Sequence, residues 1–206
     1  MRTSVSALIM VLSLVSFANA DIHFTDLGTG TPPAMLGSYM MLPFPADTQP
    51  LSTFVDGVDT PIGGRVDFSY DLEHRMIGSG WSTWSHGYTG DVYYTGGSFD
   101  DVTLYMPANT GAFYLYVEPN PFAMYDFTVT GYSDDGDLVS ATFGVEGFEG
   151  AHGYGFHTTA MQSIDSITVS TGGLVDYAIG EFGIARVPEP ASLALLTLAG
   201  LFLRRR

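Results

Sequence analysis

Five side chains in the middle of this chain have the types and spacing to hold a sugar. In the run Phe113, Tyr114, Leu115, Tyr116, Val117, Glu118, a strand period of two puts Phe113, Leu115 and Val117 on one side. Tyr114, Tyr116 and Glu118 fall together on the other. Two phenol rings can stack on the C–H face of a pyranose while a carboxylate accepts from its hydroxyls. The same pattern also fits a central strand buried on both faces, its tyrosine hydroxyls satisfied locally. Trp81 and Trp84, the only two tryptophans, lie three apart among Gly and Ser, with His86, Tyr88 and Asp91 following. Exposed indoles on such a loop would mark a ligand-facing surface. The alternative is a lid, with at least one ring folded back on the domain.

Other chemistries leave weaker traces. Asp134, Asp135 and Asp137 share one Gly-containing reversal, and such carboxylates are hard oxygen ligands suited to Ca²⁺. The spacing is not that of a 12-residue EF-hand loop and supplies no distal Glu, so a solvated hairpin tip is the competing reading. The five histidines (His23, His74, His86, His152, His157) are scattered, and no cysteine completes a zinc site. There is no G-x-S-x-G elbow, P-loop or G-x-G-x-x-G. The expectation is a non-enzymatic protein. A glycoside hydrolase stays as the alternative, because its paired carboxylates come from distant strands; Glu118, Glu146 and Glu149 are candidates.

The elements that must position these groups read as strands. Val66 to Leu72 alternates with period two, predicting Val66, Phe68, Tyr70 and Leu72 on one buried face. Further strands are predicted at 21–25, 92–95, 102–106, 112–118, 125–132, 138–144, 153–158, 164–170 and 175–186, the last broken near Gly180. Residues 28–64 are rich in Pro and Gly and read as long loops wrapped over the domain. Between residues 21 and 186 no window of ten or more residues has a clear helical period. The predicted fold is all-β, a two-sheet jelly-roll-like β-sandwich; that architecture is common among carbohydrate-binding modules, which is analogy at the level of fold.

Composition narrows the partners. Residues 21–186 hold three basic side chains (Arg65, Arg75, Arg186), no lysine and 21 acidic ones, a formal net charge of −18. Nucleic acid and anionic membrane surfaces are bound through clustered Lys and Arg, so both are excluded as partners of the body. With no cysteine there is no disulfide, and the fold rests on its packed core.

The two ends carry addresses. Met1 to Ala20 has Arg2, an apolar run around Leu8 to Val15, and Ala18 and Ala20 as an A-x-A cleavage motif, which together read as a helical secretory signal peptide. The mature chain is expected to begin at Asp21. At the other end, Val187, Pro188, Glu189 and Pro190 precede an uncharged run from Ala191 to Leu203 and the cluster Arg204, Arg205, Arg206. Thirteen residues of helix span about 20 Å against roughly 30 Å of bilayer hydrocarbon, a weak anchor. The arginines place the tail's end in the cytoplasm and the body outside.

This order of Pro-Glu-Pro, apolar helix and terminal arginines resembles the PEP-CTERM sorting signal of bacteria that make exopolysaccharide and biofilm. The runs 80–93, 112–120 and 179–185 are similar to segments of uncharacterised exported proteins of that kind. The resemblance implies processing by an exosortase, transient anchoring in the cytoplasmic membrane, and a final place at the cell surface or outside it. The expected organisation is a signal peptide over 1–20, a β-sandwich over 21–186 and a sorting signal over 187–206. The expected function is structural or polysaccharide binding.

Overall fold

β-Branched and aromatic residues in alternation, punctuated by Gly, Pro, Asn and Asp, make strands throughout. The computed structural model describes residues 22–159, 162–173 and 176–188, and among these there is no helix. The signal peptide with Ala18 and Ala20, and the tail from Glu189 and Pro190 to Arg204, Arg205 and Arg206, lie outside the described residues.

In chain order the strands are β1 (Ile22–Gly28), β2 (Met35–Leu36), β3 (Tyr39–Met40), β4 (Leu42–Pro43), β5 (Phe54–Asp59), β6 (Arg65–Ile77), β7 (Gly80–Trp81) and β8 (Asp91–Tyr94). They continue as β9 (Asp101–Tyr105), β10 (Thr110–Pro119), β11 (Met124–Ser133), β12 (Leu138–Glu146), β13 (His152–Thr158), β14 (Ile164–Ser170) and β15 (Tyr177–Arg186). One large sheet follows the order β1-β13-β10-β15-β8-β6-β9-β14-β11-β12, with β4 on β15 and both β5 and β7 on β6. A ribbon of β2 and β3 stands apart.

The sheet rolls up until its ends meet, Phe24 of β1 lying 5.9 Å from Phe143 of β12, ring centre to ring centre. Where two separate sheets are expected from the sequence, the ladder is continuous. The short β8 bridges the halves, Val92, Tyr93 and Tyr94 each pairing with β15 on one side and β6 on the other. Inside the roll lies the main core: Phe113, Leu115 and Val117 of β10 meet Phe127, Val129, Ile167 and Val169 from the facing strands. Fully burying each such side chain stabilises the fold by roughly 1.5–3 kcal/mol.

Two expectations are corrected. The stretch 28–64 is not only loop, since β5 runs beside β6 and β2, β3 and β4 are short pairings within it. Tyr70 is 40% exposed and leaves the face shared by Val66, Phe68 and Leu72. The register of β5 against β6 shifts between Asp67 and Leu72, where β6 stops pairing with β9 and begins pairing with β8. Tyr70 sits in that shift and stacks on Phe99 instead, ring centres 3.9 Å apart.

β10 is buried along its whole length. Its outer face, with those of its neighbours, forms a second core of Ala112, Tyr114, Tyr116, Ala178 and Ala185 under Leu36, Tyr39, Met41, Trp81 and Trp84. Small residues leave room for large rings there. Tyr114 lies opposite Gly183 and Tyr116 opposite Gly153, and a Cβ on either glycine would fall inside the facing ring.

Candidate functional site

The segment from Trp81 to Asp91 folds back over this second core as a lid. His86 takes a left-handed backbone (φ 42°) beside Gly87 (φ 77°), which turns the chain between the tryptophans and β8. Trp81 and Trp84 are only 5% and 4% exposed. The reading of exposed indoles is corrected: each ring is buried because its one N–H finds a carboxylate. Trp81 Nε1 donates to Glu118 Oε2 at 2.6 Å, and Trp84 Nε1 donates to Glu181 Oε2 at 3.0 Å. His86 Nε2 lies 2.7 Å from the other Glu181 oxygen, and Thr83 Oγ1 donates to Glu118 Oε1 at 3.3 Å.

Tyr114, Tyr116 and Glu118 do share one face, and it is covered. Tyr116 is fully buried with its hydroxyl donating to Gly30 O at 2.7 Å, and Glu118 is 1% exposed. No open stacking platform exists on β10, because the lid and the ribbon of β2 and β3 occupy that surface. Burial pushes the Glu118 carboxyl up to about 7, against the lowering pull of the Trp81, Gly150 and Thr83 donors. Burial likewise raises Glu181, opposed by His86 and Trp84.

Glu181 is the side chain that the sequence reading passed over. Tyr114 pairs with Gly183 and Tyr116 with Gly180, so Glu181 and Phe182 together face Leu115 alone, a β-bulge. Glu181 has φ 51°, a strained backbone for a non-glycine residue. The bulge sends Phe182 into the main core and Glu181 out to the lid. A trace was present: Glu181 is the one charge in the apolar run from Tyr177 to Ala185, set between Gly180 and Gly183.

Beside the lid opens a cleft of about 590 Å³, walled by Pro32, Pro33, Pro43, Phe44 and Pro45 on one side. Tyr88, Asp91, Tyr93, Tyr114, Glu181 and Phe182 form the other. Asp91 is oriented from behind: His74 Nε2 lies 2.9 Å from its Oδ1, and the Asp47 N–H donates to its Oδ2 at 2.8 Å. His74 is buried and stacked 5.6 Å from Tyr93, whose hydroxyl donates to Asp47. Tyr114 is 3% exposed and lines the cleft, and its hydroxyl has no protein partner among the described residues. Burial pushes that hydroxyl up to about 12, so it stays protonated and able to donate.

Other sites expected from the sequence lie apart. Asp135 accepts from Ser133 Oγ at 2.6 Å and from the Gln162 amide, and Asp134 and Asp137 complete the same β11–β12 hairpin tip. Among the described residues no three His, Asp or Glu side chains are grouped to hold a metal ion. Val187 N–H donates to Asn109 O at 2.9 Å, so the chain leaves the body at the end of β15, with Pro188 just beyond. No protein-family model matches the chain, and no curated protein is similar to it.

Proposed function

We propose that this is an exported, PEP-CTERM-sorted cell-surface protein whose body binds polysaccharide without cleaving it. In this reading the rolled sheet works as a jelly-roll-like sandwich of two facing halves. An exosortase removes most of the residues after Pro188 and releases the body from its transient membrane anchor to the surface or matrix.

The observation that carries the binding reading is the cleft. It joins aromatic walls (Phe44, Tyr88, Tyr114) to hydrogen-bonding groups (Glu181, Asp91, the Tyr114 hydroxyl) and lies within the roughly 300–1,000 Å³ usual for small-ligand sites. Rings for C–H faces and acceptors for hydroxyls are what a pyranose needs. The site differs from the one expected on Trp81, Trp84, Tyr116 and Glu118, which hold the lid instead.

A glycan array including the host's own exopolysaccharide tests it. Binding weakened by Tyr88→Ala, by roughly 0.5–1.5 kcal/mol for a lost stacking ring, supports the cleft. A blank array, with export and tail removal intact by mass, leaves a structural scaffold. Hydrolysis is the second reading, favoured by two carboxylates, Glu181 and Asp91, on one cleft. Release of reducing ends, abolished by Glu181→Gln, would establish it.

A further inference from the structure

The charges around the cleft select among sugars. Its lining contains Glu181 and Asp91 and no Lys, Arg or His. The three arginines of the body are engaged elsewhere. Arg65 pairs with Asp56 and lies 3.4 Å from Asp67, Arg75 pairs with Glu73 at 2.7 Å and covers the Tyr94 ring, and Arg186 donates to Ile62 O. No guanidinium therefore answers the two carboxylates. Glu181 is held by His86 and Trp84, and Asp91 by His74 and the Asp47 amide, all from behind the cleft wall.

A third group points the same way. Tyr114, a side chain 3% exposed, lines the cleft, and its hydroxyl has no partner among the described residues. A phenol oxygen can accept as well as donate, and a cationic N–H donor would find it beside the two carboxylates of the same lining. Tyrosine faces also attract cations. A uronate, sulfate or phosphate ester would instead meet two carboxylates on a lining that holds no Lys, Arg or His.

Resting on the saccharide reading above, we infer that the cleft takes an amino sugar with a free ammonium, a hexosamine unit without its N-acetyl group. The ammonium sits between Glu181, Asp91 and the Tyr114 hydroxyl, and the ring lies against the aromatic wall. Acetylation removes the charge and two of the three N–H donors.

The test is calorimetric titration of the full chain in detergent at low ionic strength with three probes: trimers of glucosamine, of N-acetylglucosamine and of galacturonate. The glucosamine trimer is expected to bind about tenfold or more tighter than the acetylated one, as a lost hydrogen bond to a charged group implies. The uronate should show no heat. Glu181→Gln should collapse the ratio toward unity, whereas Asp126→Asn, an exposed β11 carboxylate of equal charge, should keep it. If Glu181→Gln does not fold, Tyr114→Phe removes one hydroxyl and should lower glucosamine affinity severalfold. Equal binding of the acetylated and free trimers would overturn the ammonium inference and leave the saccharide cleft standing. The same loss of preference in Asp126→Asn would assign it to overall charge and overturn the inference too. Absence of binding by all three would overturn both.

Discussion

Trp84 Nε1 donates to Glu181 Oε2 at 3.0 Å across 97 residues of sequence, tying the lid to the bulge in β15. The bond joins the only strained carboxylate on the cleft to a ring that is itself buried. Trp84→Phe keeps most of the apolar volume and removes the donor. It is expected to destabilise the fold by about 1–3 kcal/mol, the cost of a buried acceptor left short of a partner. Urea denaturation measures this, and Trp81→Phe should behave alike through Glu118. An unchanged midpoint in both variants would show that the lid does not depend on these bonds.

Glu118 gives the protein a pH dependence of definite sign. Its carboxyl is held near 7 in the folded state by burial, above its ordinary 4.5. The folded chain therefore binds a proton that the unfolded chain has already lost between these values. Stability from this group is full below about 4.5 and falls as pH rises to about 7, by on the order of 1 kcal/mol per unit. Glu181, raised also, acts in the same direction. Urea midpoints at pH 5 and pH 8 should differ less in Glu118→Gln than in the parent chain.

Gly183→Ala puts a methyl group into the Tyr114 ring across the β10–β15 pair. Tyr114 has to move, and overpacking of this kind costs typically 1–3 kcal/mol. Because Tyr114 also lines the cleft, ligand affinity should fall with stability. Melting temperature and titration on the same sample check both. Gly136→Ala, at a hairpin tip where φ is 96°, should lower the melting temperature through backbone strain and leave affinity untouched.

The body's charge of −18 predicts self-repulsion relieved by salt. Thermal melts in NaCl, Mg²⁺ and Ca²⁺ at matched ionic strength separate the outcomes. Equal gains mean screening alone. A gain from micromolar Ca²⁺ only, lost in Asp135→Asn, would place a calcium site at the β11–β12 hairpin.

Local pattern alone determined a good part of this protein. The strands from β8 to β15 were legible because each pairs a period of two with Gly, Pro, Asn or Asp reversals, chemistry that resides within a few residues. The break near Gly180 was visible for the same reason. What period cannot report is which face meets what. Tyr114, Tyr116 and Glu118 share a side on any strand model, yet whether that side meets solvent depends on segments 30 to 80 residues away closing over it. The indoles were ambiguous in the same way, since their burial needed Glu118 and Glu181 as acceptors from distant strands. Glu181 took its role from a bulge, a mismatch between two strands that neither contains by itself. The continuity of the sheet through β8 was likewise a decision of pairing, made when three residues, Val92, Tyr93 and Tyr94, found partners on both edges at once.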